Sequence, residues 1–467
     1  MTELRELLEH FSDADAAGDP DAVFDDAYAQ AKVRRRHRRT RRVSLAVVVV
    51  AALGVTSVVA ITRAGPNTHV TTGPSPATTT PSTRAHAVPR GVTAAQLARG
   101  SWSVTPAAPI PARDNASVVW TGHELLVWGG ASGKHEDQLR ADGAAYNPST
   151  GTWRVLPPAP LSAREGPAAV WTGHELVVWG GYDDVRDGHL HAAADGAAYS
   201  PSTNTWQMLP AAPIAPRVFA VAVWTGSQVL LLGGRPANGT VRVPNYSDGA
   251  TYDPATRRWQ PVAPPVAPNN DPVTWSIAAP IDGHRVLAWS QWSKRRALSA
   301  QSSEQWGGAD LFVYDSDTNS WARAAQSPYD VSGALDAIWT GRDALVRGEP
   351  ARCDGCLGGL VGFVNTARYD PATNRWTTLA TDQQFAGSLD SAWTGRALFS
   401  LALTGNADAY DPAANTWTRL PRAPIACNLG SAAIWTGAEV LAYCPTPYPH
   451  ADDPARALVY APGSAHR

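Results

Sequence analysis

The 467-residue chain carries almost no net charge, -2 in formal terms, and only 17% of its residues are charged. That balance argues against a disordered chain and against a protein that binds nucleic acid or another polyanion. Sulfur is scarce, with 4 Cys and 2 Met. Beside 39 Gly, 38 Pro and 19 Trp, this mix suits many short strands joined by tight turns and disfavours a helical bundle, collagen or a coiled coil. Long apolar runs are missing except for one near the N-terminus. With 44% hydrophobic residues, the chain can nevertheless bury a large core.

That single run is Val43 to Thr62, 20 residues without a charge. At 1.5 Å per residue a helix of this length matches a hydrocarbon layer of about 30 Å. Before it, residues 1–42 are polarised: the acids lie between Glu3 and Asp26, and the block RRRHRRTRR abuts the apolar run. Only Arg63 flanks its other side, so the positive-inside bias puts residues 1–42 in the cytoplasm and the rest of the chain outside. The expected topology is a single-pass membrane protein with an extracytoplasmic C-terminal part. A cleaved signal peptide is the rival reading, since Thr40-Arg41-Arg42 with Leu45 echoes a twin-arginine signal. Against it, 42 residues precede the run and no clear A-x-A site follows it directly, although Val58-Val59-Ala60 could serve.

Within the tail, Leu4, Leu7, Leu8 and Phe11 follow helical spacing, and Asp19-Pro20 reads as the cap of a second helix carrying Val23, Phe24, Ala27 and Tyr28. Two short amphipathic helices could dock a cytoplasmic partner on residues 1–31. Residues 64–90 are rich in Thr and Pro and poor in large apolar side chains, which predicts an extended stalk within a linker over 63–99.

From residue 100 onward the sequence repeats at about 50 residues. One series is Trp-Thr-Gly at Trp120, Trp171, Trp224, Trp339, Trp393 and Trp435, with Ile281-Asp282-Gly283 in the fourth place. A second series pairs Tyr with a later Trp: Tyr146 and Trp153, Tyr199 and Trp206, Tyr252 and Trp259, Tyr314 and Trp321, Tyr369 and Trp376, Tyr410 and Trp417. Each unit reads as four strands, a to d. In the first they are about 117–120, 124–129, 143–147 and 152–156. Trp102 precedes the first unit and Tyr460 ends the seventh without a following Trp, so the strand of Trp102 is expected to complete the last sheet and close a ring.

The double glycines Gly129-Gly130, Gly180-Gly181 and Gly233-Gly234, each followed by Tyr and then Trp, resemble the kelch repeat over residues 100–462. Later repeats carry Trp289-Ser290, Arg347-Gly348, Ser400-Leu401 and Tyr443-Cys444 in their place. The resemblance implies an all-β, seven-bladed kelch-type propeller over residues 100–467, here of a membrane-anchored bacterial type. Kelch propellers also form the central domain of galactose oxidase and related copper radical oxidases. That chemistry is not expected here, because no His lies between His284 and His450 and no suitable Tyr–His pair stands out. No cofactor is implied.

In such a blade the b–c and d–a connections leave one end, and the a–b and c–d turns leave the other. The b–c connections are long, with about 19 residues in the fourth unit (290–308) and 18 in the fifth (348–365), and recognition usually resides on long loops. Arg113, Arg164 and Arg217 recur seven residues before the a-strand tryptophan and could bind a carboxylate or phosphate, or else tie blades together. Trp292 and Trp306 flank Lys294, Arg295 and Arg296, an aromatic and cationic mixture typical of binding hot spots. Asp183, Asp184, Asp187, His189 and His191 offer oxygen and imidazole but no fixed metal-site spacing.

Most tryptophans sit at repeat positions, which leaves Trp275, Trp292 and Trp306 as candidates for exposed contact. Asp336 and Asp390 hold an inner-strand place where other units carry Ser117, Ala168, Val221, Ala278 and Ala432. They are either a ligand or acid–base pair, or structurally hydrogen-bonded carboxylates. Cys427 with Cys444, and Cys353 with Cys356, are expected as disulfides outside the membrane, with a redox-active pair at 353 and 356 as the other possibility.

These features point first to a membrane-anchored extracytoplasmic module that uses propeller loops to bind a protein, glycan or small ligand. A transmembrane regulator, similar in layout to membrane-bound anti-sigma proteins but without their His-x-x-x-Cys-x-x-Cys motif, is the alternative. A carbohydrate-acting enzyme is the second alternative.

Overall fold

The structure is a computed structural model that describes residues 91–464 apart from 133–137, 187–188, 238–244, 266–273, 298–302, 329–330, 351–364, 382–387, 403, 426, 428–431 and 445–453. The tail, the apolar segment 43–62 and most of the linker lie outside the described residues. Among those described, no helix is long and apolar enough to cross a membrane.

The chain forms seven four-stranded antiparallel sheets arranged as a propeller. In blade one the strands are Ser117–Trp120, Leu125–Trp128, Gly143–Asn147 and Thr152–Val155, within a residue of the sequence expectation. Strand b reads Leu-Leu-Val-Trp, apolar without alternation, and all four residues are buried. Both faces of a blade pack against neighbours, so its middle strands have no solvent side to mark with polar residues. Strand d lies at the rim and mixes exposed with half-buried positions.

Blade seven closes the ring. Its strands Ala432–Trp435, Val440–Tyr443 and Ala457–Ala461 are completed by Ser101–Val104, with Trp102 opposite Tyr460. In every blade the tyrosine of strand c packs on the tryptophan of strand d, with centroids 4.7 to 5.2 Å apart. Each of these indoles also donates its N–H to a carbonyl just past strand d of the preceding blade, from Trp102 to Pro421 O at 2.7 Å to Trp153 to Pro106 O at 3.0 Å. The tryptophan series is therefore a repeated tie between blades, in which the ring is buried and its one donor is satisfied.

The c–d turns are built by local hydrogen bonds. Except in blade two, where Ser200 stands, the Asn or Asp that opens them accepts the backbone N–H two residues on, as in Ser149 to Asn147 at 2.9 Å and Ala413 to Asp411 at 2.9 Å. Four of the turns end on Asn in the left-handed region, at residues 204, 319, 374 and 415, a residue type that tolerates it. The same Asn accepts the hydroxyl of the strand-c tyrosine at 2.7 to 2.9 Å.

Residues 91–100, read from the sequence as the end of the linker, are folded onto the propeller. A short helix, Ala94–Leu97, is opened by a capping box between Thr93 and Gln96. Leu97 is buried, and its carbonyl accepts the Tyr460 hydroxyl. Val92 pairs with the Thr-Gly turn of blade six, its N–H bonding Thr394 O at 3.2 Å and its carbonyl accepting Thr394 Oγ1 at 2.8 Å.

Candidate functional site: the loop face and the polar seam

The two ends of the blades differ as their turns do. At one end lie the Thr-Gly turns between strands a and b, each pinned by its threonine hydroxyl, as when Glu124 N donates to Thr121 Oγ1 at 2.8 Å, together with the c–d turns. The other end carries the elaborated connections. Blade one adds the strand pair Ala131–Ser132 and Gln138–Leu139, and blade two the hairpin Tyr182–Arg186 with His189–Ala192.

The largest elaboration differs from the expected loop at 290–308. Strands b and c of blade four run on as Arg285–Ala297 and Ser303–Asp315, paired in register out to Ala297 and Ser303. Strand a of this blade ends its pairing at Gln291, so the six pairs beyond it form a two-stranded arm. In that register Trp292 opposes Gly308, Lys294 opposes Trp306, Arg295 opposes Gln305 and Arg296 opposes Glu304. The backbone thus brings both tryptophans and the three cations onto one arm, while their side chains lie outside the described residues. Blade five extends similarly, with Val331 opposite Pro350, and its connection 351–364, including Cys353 and Cys356, is outside the described residues.

The three recurrent arginines act inside their own blades. Arg113 is fully buried. Its Nε donates to Pro111 O at 3.0 Å, its Nη1 to Gly129 O and Asp142 O at 3.2 and 3.1 Å, and its two Nη atoms to the Asp142 carboxylate at 2.8 and 3.2 Å. Arg164 repeats this with Gly180 and Asp195, and Arg217 with Gly233 and Asp248. Each arginine clasps the end of strand b to the start of strand c. Burial works against the Asp142 carboxylate, but the Arg113 guanidinium holds it below its ordinary range.

The double glycine belongs to the same device. At Gly130 φ is +89° and a Cβ would come 2.6 Å from Asp114 O, while its N–H reaches Arg164 O of the next blade at 2.8 Å. These groups hold blades one to three together at the loop end. The partners Asp142, Asp195 and Asp248 were missed in the sequence, although each stands directly before the Gly-Ala of strand c.

Asp336 and Asp390 come together in a second polar place. Register puts Asp336 opposite Arg347, and Arg347 opposite Thr366, across strands a, b and c of blade five. Blades one, two and four carry Trp128, Trp179 and Trp289 at the position of Arg347, so Arg347 replaces a core tryptophan and not a glycine of the pair. Its guanidinium is fully buried, donates from Nη1 to Ser391 Oγ at 2.6 Å and Ser400 Oγ at 2.5 Å of blade six, and lies 5.3 Å from the Trp417 ring. Asp336 Oδ2 is 3.5 Å from Arg347 Nη1.

Burial pushes the Asp336 carboxyl up, while Arg347 and Ser391 pull on it from just beyond hydrogen-bonding geometry. Asp390 is pushed well above the ordinary range by burial. The Ala433 N–H at 2.8 Å and Ser391 N–H at 2.9 Å oppose this, and the nearby Asp336 charge adds to it. Sequence reading found the two carboxylates but not Arg347 or Thr366. The available signal was a charged residue at a repeat position otherwise held by tryptophan.

The remaining assignments are structural. Trp275, expected as an exposed contact, is 2% exposed and stacked on Trp321 at 4.8 Å, because it fills the seam between blades three and four. Cys427 and Cys444 form a disulfide within blade seven. In the blade-two hairpin Asp184 pairs with His191 in register, while Asp187 lies outside the described residues. No group of three His, Cys, Asp or Glu side chains stands together among the described residues.

Comparison with known proteins agrees with this architecture. Residues 82–289 match the family model described as the KLHDC2/KLHL20/DRC7 Kelch-repeats domain. The Kelch-like protein terF of Aspergillus terreus is 26% identical over 256 residues, covering 53% of this chain and 52% of that protein. N-acetylneuraminate epimerase of Haemophilus influenzae is 32% identical over 82 residues, 18% of this chain and 22% of the enzyme. The chain thus spans about half the length of the first relative and about a fifth of the second.

A solved fungal alcohol oxidase of the AA5 family, in complex with copper, superposes with a TM-score of 0.50 at 13% identity over 78% of this chain and 76% of the oxidase. That likeness concerns the fold. The chain carries a kelch-repeat, seven-bladed β-propeller.

Proposed function

We propose that this protein is a membrane-anchored extracytoplasmic binding module whose elaborated propeller face points away from the membrane. One observation carries the reading: the chain enters the propeller at the short-turn end, where Val92 is bonded to Thr394 in the a–b turn of blade six, while every elaborated connection leaves the opposite end. A tether attached at one end of a rigid ring leaves the other end free to meet a ligand. The anchor is the uncharged segment 43–62 with the arginine block before it, and the Cys427–Cys444 disulfide suits an oxidising compartment.

The blade-four arm, with Trp292, Lys294, Arg295, Arg296 and Trp306, is the foremost contact element. Its composition favours an anionic ligand with flat apolar faces, such as an acidic glycan. One relative is named for an acidic sugar, so acidic sugars come first in a binding panel, with turnover followed alongside to test a carbohydrate-acting enzyme.

The test is binding to the full-length chain in vesicles, compared with a chain whose residues 291–307 are replaced by a tight turn. Loss of binding with an unchanged melting temperature supports the reading. Equal binding by both chains overturns the role of the arm. Protease protection of residues 1–42 in sealed vesicles tests the topology, and a propeller protected in place of the tail refutes it. If deletion of residues 2–31 removes a cytoplasmic partner, the same arrangement serves a transmembrane regulator, with the propeller as sensor.

A further inference from the structure

The outer rim of the ring is not the same all the way round. Among the described residues, three large apolar side chains are exposed: Val104 at 40%, Val155 at 56% and Met208 at 40%. Their places are equivalent. Each stands two residues after the strand-d tryptophan, on the outermost strand of blades seven, one and two, and the pleat sets it on the same side of the sheet as that tryptophan. Blade three continues the series with Pro261, also exposed. In blades four, five and six the same position holds Arg323, Thr378 and Arg419.

The apolar positions are joined through the seams. The chain leaves strand d of blade seven through Pro106, whose carbonyl accepts the Trp153 indole of blade one at 3.0 Å. Pro157 and Pro210 do the same for Trp206 at 3.0 Å and Trp259 at 2.9 Å. Exposed aliphatic side chains, proline and half-buried tryptophan therefore follow one another along a single arc from blade seven to blade three. Arginine bounds it at both ends: Arg323 on blade four, and Arg422 on blade six, next to the Pro421 carbonyl that accepts Trp102.

Charge is nearly missing from the arc itself. Residues 101–110, 152–161 and 205–214 hold one charged side chain, Arg154, and it is paired with the Glu124 carboxylate at 2.9 and 2.5 Å. Arg257 reaches the arc from blade three, but it donates to Gln207 Oε1 at 2.7 Å and to Met208 O at 2.6 Å. Single exposed apolar residues are ordinary on a protein surface, whereas an arc of them marks a contact. A face with so little charge gives an ionic partner nothing to match, and it meets its own copy without bringing like charges together.

We propose that this arc, centred on Val155 and Met208, is the face through which two copies of the chain associate side by side.

The orientation rests on the anchored topology proposed above. The chain enters the propeller at the short-turn end through Val92, after residues 1–90 with the apolar segment 43–62. A tether at that end sets the ring axis along the membrane normal, so the rim faces sideways. A two-fold axis along the same normal then brings one arc onto the other and keeps both anchors on one side. Contact through the loop ends would set the anchors on opposite sides. Two convex rims meet over a small area, short of the roughly 800 Å² per partner of a stable soluble complex. Association therefore depends on confinement to a membrane, which raises the local concentration of the second copy.

The experiment is energy transfer between full-length chains carrying donor or acceptor dyes at the C-terminus, in phosphatidylcholine vesicles dilute enough that chance proximity gives little signal. Val155→Asp is expected to weaken association at least about tenfold, because the contact would desolvate a carboxylate. Val155 is exposed, so the melting temperature should hold. Met208→Asp serves as a second variant, and Thr378→Asp on the far rim is expected to change nothing. Transfer at the chance level in the wild type overturns the proposal. So does transfer that survives both changes on the arc, as pairing through the anchors alone would give, or an equal loss with Thr378→Asp. Protease protection in the same vesicles reads the topology on its own, so a failed anchor and a failed rim contact are told apart.

Discussion

Arg164→Met separates a clasp from an anion site. The wild-type guanidinium is fully buried and spends its donors on Ser162 O at 3.1 Å, Gly180 O at 3.3 Å, Asp195 O at 3.4 Å, Ser162 Oγ at 2.9 Å and Asp195 Oδ1 at 2.9 Å. Methionine fills much of the same space but donates nothing. The Asp195 side chain is 47% exposed and rehydrates, so the full penalty of a stranded buried charge does not apply. The loss is one charge-assisted bond plus poorly satisfied carbonyls, about 3 kcal/mol in all. For a cooperative unit of about 370 residues, with an unfolding entropy of about 2.1 cal/mol/K per residue, this shifts the melting temperature down by about 4 °C. Differential scanning calorimetry on Arg164→Met, Asp195→Asn and the double variant reads both the shift and the coupling. Strong non-additivity is expected, because both changes remove the same bond. A shift under about 1 °C, with sulfate stabilising the wild type but not the variant, refutes the clasp and restores the anion site.

Trp206→Phe keeps most of the ring but deletes the N–H that reaches Pro157 O at 3.0 Å; a loss of about 1 kcal/mol is expected in chemical unfolding, and the same change at Trp259, bonded to Pro210 O, should cost a similar amount. Cys444→Ala opens the 17-residue disulfide link to Cys427, with an expected loss of about 3 kcal/mol that mild reductant reproduces in the wild type and not in the variant. Leu97→Ala removes a fully buried side chain between the entry helix and blades six and seven; a loss of about 2 to 4 kcal/mol is expected, together with faster proteolysis near residue 91. Absorbance titration should find Tyr314 and Tyr460 un-ionised until well above pH 10, since burial pushes both up to about 12. Their contribution to stability is present below pH 10 and is lost as pH rises towards 12.

The ring was legible in the sequence because its ties are periodic. Each Tyr and Trp of strands c and d recurs with the same role, so a repeat count gives the blade count, and the unpaired Trp102 and Tyr460 announce the closing sheet. Three features were hidden for physical reasons. The blade-four arm reads as a loop because residues 292–297 and 303–308 are mostly polar, charged or Gly and show no regular hydrophobic alternation. Trp275 reads as surplus because it fills a gap made by local departures from the repeat, with Leu232 standing where neighbouring blades place tryptophan. Arg347 reads as a lost glycine because the bulges in the first strand of blade five blur the alignment by one residue.

The departures are grouped along the ring. Blades one to three keep the clasp, the double glycine and a tryptophan or leucine seam, and each feature rigidifies the loop end by satisfying buried backbone groups. From blade four onward the clasp is gone, the b and c strands lengthen in blades four and five, and in blade five Arg347 stands where other blades place tryptophan. A ring built only for rigidity has no reason to concentrate these changes on adjacent blades. A ring that presents an arm from blade four can use the clasped blades one to three as the rigid base against which that arm meets a ligand.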